Sequence, residues 1–220
     1  MPGFGEFDPQ KFVSVIVTFI IAITVHEFMH AWTAWMLGDD TARLLGRVSL
    51  NPVVHFDPVG ALMFLLIAIG LPGIAWGRPV PVNDFRLRPA GRFGRQGSMA
   101  LVSFAGPLSN VVLGAVAAGL LHFSTSAGMG FGDTEQFIWI FVLVNFSLAA
   151  FNMIPLPPLD GSRILVALLP PFWRPVLAPI ERYGVPILIL LLIFGRGIGS
   201  SIISAITDPV RELLLRIFVG

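Results

Sequence analysis

Between Phe12 and Leu37 the chain runs for 26 residues with only three ionisable side chains, His26, Glu27 and His30, all within five consecutive positions. As a helix rising about 1.5 Å per residue, such a run covers roughly 39 Å, enough to cross a hydrocarbon core of about 30 Å. In lipid every backbone N–H and C=O must be satisfied within the protein, so a run of this kind is helical. A charge near the bilayer centre costs at least about 2.5–3.5 kcal/mol on insertion scales. Three ionisable groups in one turn therefore need a reason: they bind something, pair with one another or react.

The rest of the chain repeats the pattern. Of its 220 residues, 55% are hydrophobic and 12% charged. A water-soluble domain carries about 25% charged residues, so most of this surface faces something other than water. The expected fold class is an all-α polytopic membrane protein with about four full transmembrane helices. It is read as a single membrane-embedded domain over residues 1–220, with the first helix at 12–37, a second full span at 98–123, a third at 136–154 and a last at 185–206. Residues 1–11 carry Glu6 and Asp8 instead of a basic leader, so the first helix is expected to be retained. Residues 57–76 are apolar but broken by Pro58, Gly60, Gly70, Pro72 and Gly73, and are expected to be re-entrant or surface-lying. Prolines at 79 and 81 predict a short extended stretch over 79–83. The proline-rich break at 155–159 cannot continue a helix, a short amphipathic helix is expected over 162–169, and the tail 208–220 reads as surface-lying. A net charge of +1 offers no electrostatic case for a nucleic-acid partner.

His26 and His30 are four residues apart, which places them about 40° apart on one helix face, and Glu27 lies beside them. Two imidazoles on one turn can share a metal ion while the carboxylate holds and deprotonates a metal-bound water, the logic of H-E-x-x-H. Zinc lowers the pKa of its water toward about 7. The alternative is a packing cluster in which Glu27 neutralises a histidine. Catalytic zinc sites use three protein ligands and an open position. The chain has no cysteine and only two other histidines, His55 and His122. His55 sits in a polar loop, where a structural role is the simpler reading, and His122 reads as interfacial. Asp160, just past the proline-rich break, is the best third ligand by position. On spacing alone it reads equally well as a turn aspartate capping the next helix.

Two separated elements carry a family resemblance. His26-Glu27-x-x-His30 in an apolar helix, followed by Asn152-Met153-Ile154-Pro155-Leu156-Pro157-Pro158-Leu159-Asp160-Gly161, resembles the site-2 protease family of intramembrane zinc metalloproteases. Ala105-Gly106-Pro107-Leu108-Ser109-Asn110 is similar to that family's A-G-P segment. Asn51-Pro52 through Gly60, with Arg78 through Asn83, resembles its compact subgroup without PDZ or CBS domains. The resemblance implies zinc held by His26, His30 and Asp160, with Glu27 as the catalytic base. It implies a substrate role for Asn152, whose other reading is tying down the proline loop. For Asn110 a substrate-site role and helix–helix hydrogen bonding stand side by side. The implied partners are transmembrane protein substrates and the lipid bilayer.

The ligands also constrain topology. His26 and His30 lie toward the C-terminal end of the first span, and Asp160 lies beyond the C-terminal end of the third, so these spans must run in the same direction. Residues 57–76 then do not fully cross, and 38–97, with Arg43, Arg47 and five arginines in 78–95, lie on one side. The positive-inside rule makes that side cytoplasmic, which expects a multi-pass cell-membrane protein with its active site nearer the cytoplasmic face. Rival readings are an ion or metal transporter, which would carry inverted repeats not found here, a prenyl-protein endopeptidase, which would need a second interior Glu, and an inactive homologue acting as a binding module, which the intact Glu27 opposes.

Overall fold

A computed structural model describes residues 8–68, 75–128, 132–193 and 199–219, and among these the secondary structure is entirely helical. Helix α1 runs Pro9–Met36. Its start is set by Asp8, whose carboxylate accepts the Gln10 and Lys11 N–H groups at 2.9 and 3.1 Å, with Pro9 in the first turn where its missing N–H is harmless. Two short helices, α2 at Thr41–Leu44 and α3 at Pro52–His55, and the 11-residue α4 at Pro58–Ala68 follow. Then come α5 at Gly94–Ser126, α6 at Asp133–Asn152, α7 at Asp160–Leu168, α8 at Arg174–Ile193 and α9 at Gly199–Phe218.

Among the described residues, three helical segments are long and apolar enough to cross a membrane: Pro9–Met36, Gly91–Ser126 and Thr134–Asn152. At most 44% of the apolar stretch of any of them is buried inside the protein. The rest, including Val13, Val17 and Ile20 on α1 and Leu101, Leu108, Val112 and Val116 on α5, is exposed apolar surface of the kind a bilayer covers. Of the fourth expected span, 185–206, α8 covers the start and α9 the end, and residues 194–198 lie outside the described residues. Of the expected re-entrant or surface segment 57–76, residues 69–74 also lie outside them. The part described is helical, as α4. Residues 75–83, which include the expected extended stretch 79–83, carry no helix.

Helix α5 is the centre of the bundle and packs against α1, α6 and α7. Ala22, Ala31 and Ala34 on α1 are fully buried, and Ala105 on α5 is nearly so. Small side chains let two backbones approach closely where lipid offers no hydrophobic drive between helices. A second cluster joins Ala117 and Ala118 of α5 to Val142 and Phe146 of α6, with Leu214 and Leu215 of α9 packed on it. Contacts along α5 fix the directions. Val102 meets His30 while Asn110 meets Ala22, so α5 is antiparallel to α1. Asn110 meets Asn145 while Ala117 and Ala118 meet Val142, so α5 is also antiparallel to α6. Helices α1 and α6 are therefore parallel, and the chain from Leu37 to Gly94 leaves and returns at one end of the bundle.

Candidate metal centre

The C-terminal half of α1, the loop after α6 and the first half of α5 converge on three side chains. His26 Nε2 and His30 Nε2 are 3.0 Å apart, and Asp160 Oδ2 lies 3.1 Å from the first and 3.3 Å from the second. One donor atom from each residue lies within 4.8 Å of the others, a grouping that could hold a metal ion. Both histidines are buried, and the Asp160 side chain is 15% exposed.

The other ring nitrogens decide which atoms face inward. His26 Nδ1 is 2.7 Å from Asn110 Oδ1, and His30 Nδ1 is 2.7 Å from the Val102 carbonyl. A carbonyl only accepts, so each Nδ1 carries a proton, and in the neutral ring Nε2 is then the bare nitrogen that a metal would take. Two bare nitrogens 3.0 Å apart cannot hydrogen-bond to one another. With a carboxylate between them they form a donor set for a shared cation, and the Nδ1 bonds hold the rings in that presentation.

Asn110 has no surface exposed, and its amide is fully used. Besides accepting from His26, its Nδ2 donates to the Ala22 carbonyl at 3.1 Å and to Asn145 Oδ1 at 3.0 Å. Asn145 in turn donates to the Phe141 carbonyl at 2.9 Å. One polar chain thus runs from the His26–His30–Asp160 cluster through α5 into α6. Asn145 escaped the sequence reading, although a signal was present: like Asn110 it is an amide inside an apolar span, costly unless paired. Gly106 was seen only as part of a motif. A Cβ built there would lie 2.4 Å from His30 Nε2 and 2.7 Å from His26 Nε2, so the α5 backbone closes one wall of the cluster and leaves room for no side chain.

Asp160 opens α7, and its carboxylate turns to the histidines, making no cap on that helix. Glu27 is 8% exposed, and its Oε2 accepts the Val80 N–H at 3.2 Å. Asn152 is half-buried and donates from Nδ2 to the Leu148 carbonyl of its own helix at 3.0 Å. His55 is buried away from the cluster, donating from Nε2 to the Ser49 carbonyl at 2.7 Å, and His122 is exposed on α5.

The profile of Peptidase family M50 matches residues 126–195, the part of the chain that contains the Asn152–Gly161 element. Over 211 residues the chain is 36% identical to "Putative zinc metalloprotease YwhC" of Bacillus subtilis, covering 93% of this chain and 90% of that protein. It is 33% identical over 183 residues to "Putative zinc metalloprotease Rip2" of Mycolicibacterium smegmatis, covering 83% of this chain and 67% of that protein. It is 30% identical over 187 residues to the Mycobacterium tuberculosis protein of the same name, with the same two coverages. No solved structure matches. With a relative alike along nearly the whole of both chains, the chain belongs to peptidase family M50, the metalloproteases of site-2 protease type.

Proposed function

We propose that this chain is an intramembrane zinc metalloprotease that hydrolyses peptide bonds in or near the transmembrane segments of membrane-protein substrates. The observation that carries this reading is the meeting of His26 Nε2, His30 Nε2 and Asp160 Oδ2 at one point, with Glu27 one residue from His26. His26, His30 and Asp160 would hold the ion. Zinc bound there supplies a Lewis acid for the scissile carbonyl and an acidified water. Glu27 accepts the proton of the attacking water and passes it to the departing amine nitrogen. Holding Oε2 on the Val80 N–H leaves Oε1 for that exchange.

Asn110 serves as the brace of His26. Asn152 serves the substrate: an amide nitrogen has two N–H bonds, one of which goes to Leu148, leaving the other for a substrate carbonyl. A helical substrate amide is shielded by its own hydrogen bonds, so the substrate must unwind before cleavage. Pairing with residues 79–83 would run through their carbonyl acceptors and the Val82 N–H, because Val80 and Asn83 spend their N–H groups inward and Pro79 and Pro81 have none. The whole of residues 1–220 acts as one membrane-embedded unit, multi-pass in the cell membrane. The end bearing Arg43, Arg47 and the arginines of 78–95 faces the cytoplasm, which puts the site nearer that face.

Metal analysis of the purified protein, paired with cleavage of single-pass substrates in liposomes, tests this reading. Zinc near one per chain and cleavage lost in Glu27→Ala with zinc retained are the expected results. Cleavage surviving in that variant overturns it.

A further inference from the structure

Arg47 and His55 lie in the segment between α1 and α4, buried to 5% and 1% exposure, and neither touches the metal cluster. A buried guanidinium is costly unless its charge and donors are used. Both residues converge on Arg78. Arg47 Nη2 donates to the Arg78 carbonyl, and the His55 carbonyl accepts the Arg78 N–H at 2.8 Å. The His55 ring donates to the Ser49 carbonyl and so closes the loop that presents its own carbonyl.

Two residues beyond Arg78, the Val80 N–H reaches Glu27 Oε2. Prolines on either side leave Val80 as the only backbone donor between Arg78 and Val82. The stretch lies flat on α1 at this point. A Cβ on Gly77 would lie 2.9 Å from Ile23 Cγ1, 3.3 Å from the His55 carbonyl oxygen and 3.5 Å from Glu27 Cγ. Arg47 and Glu27 make no direct ion pair among the described residues, yet the carboxylate's charge acts on the guanidinium.

We propose that Arg47 and His55 are positioning residues that act on Glu27 through residues 77–80: they clamp Arg78 from both sides and thereby aim the Val80 N–H at one carboxylate oxygen. This rests on the reading of Glu27 as the proton acceptor. A carboxylate tethered at Oε2 keeps Oε1 in one place, and an untethered one rotates away from the reacting water. Loss of orientation lowers turnover without touching the metal ligands.

The experiment uses the full chain in detergent micelles and liposomes, comparing wild type with Arg47→Met, Arg47→Lys, His55→Ala and Val80→Pro. Amide hydrogen exchange is followed by mass spectrometry over residues 75–85, beside zinc content, kcat and KM on a single-pass substrate. In Arg47→Met and His55→Ala, exchange in that segment rises at least about 10-fold. In Arg47→Met, kcat falls about 10- to 100-fold with zinc content and KM unchanged, and Arg47→Lys, which keeps a donor, lies between. Val80→Pro, which removes the tethering N–H, reproduces the kcat loss with Arg47 intact. The proposal is overturned if exchange over 75–85 is unaltered in Arg47→Met, if Val80→Pro keeps kcat within about twofold of wild type, or if Arg47→Met loses zinc. Should Arg47→Met not fold, Arg47→Lys and Val80→Pro decide. A wild-type chain that cleaves nothing would instead sink the protease reading, while the exchange measurements still decide whether Arg47 and His55 hold the stretch.

Discussion

His26 Nδ1 sits 2.7 Å from Asn110 Oδ1, across the α1–α5 interface and 84 residues away in the chain. That bond puts the ring proton on Nδ1 and turns Nε2 toward His30 and Asp160. Replacing Asn110 with Leu removes the acceptor and leaves His26 free to take the other tautomer. Loss of such an outer partner lowers metal affinity about 10- to 100-fold. Competition for zinc against a chelator of known affinity measures this directly. Asn110→Asp, which keeps an acceptor oxygen, is expected to fall less than Asn110→Leu.

Gly106→Ala adds one methyl group where the nearest atoms are His30 Nε2 at 2.4 Å and His30 Cε1 at 2.5 Å. The helix backbone or both rings must move. We expect zinc content to drop well below one per chain and thermal stability to fall by about 2 kcal/mol or more. Neighbouring Ala105→Gly is the control, since it changes a methyl group without entering the cluster.

Asp39, fully buried at the end of α1, accepts the Thr41 N–H at 3.0 Å, the Thr41 hydroxyl at 2.5 Å and the Asn83 N–H at 2.6 Å. It ties the α1–α2 turn to the far end of the 75–83 stretch. Asp39→Ala leaves these donors unsatisfied and is expected to destabilise the fold by about 2–4 kcal/mol. A thermal melt in detergent gives the magnitude. Equal melting temperatures for Asp39→Ala and wild type would show that the turn is held by other contacts.

His55 makes stability depend on pH. Burial lowers its pKa below the ordinary 6.5, the bond to Ser49 offsets part of this, and the nearby Arg47 charge lowers it further. The folded chain thus takes up a proton at His55 less readily than the unfolded chain. The contribution is fully present above about pH 6.5 and is lost as the pH falls below it, toward the depressed folded value. Melting temperatures measured from pH 8 down to pH 5 should decline more steeply for wild type than for His55→Gln. Parallel curves would remove His55 from the account.

The sequence was most legible where one turn of one helix carries the information. His26, Glu27 and His30 are neighbours by helical periodicity, and three ionisable groups in an apolar span announce themselves by their cost. The orientation of Asp160 was not legible, because an aspartate before Gly161 caps a helix or leaves it according to what lies across from it.

By itself, then, the sequence determined a helical, lipid-facing chain and two histidines with a carboxylate on one face, because length, apolarity and the 3.6-residue period are properties of a single segment. The tertiary structure decided which nitrogen of each ring faces the cluster, that Gly106 walls it and that Asn145 extends its brace. It also brought Val80 to Glu27 with Arg47 and His55 behind it. Those relationships join residues 23 to 88 positions apart. They depend on how closely α1, α5 and α6 approach and in which direction each runs, which no single segment encodes.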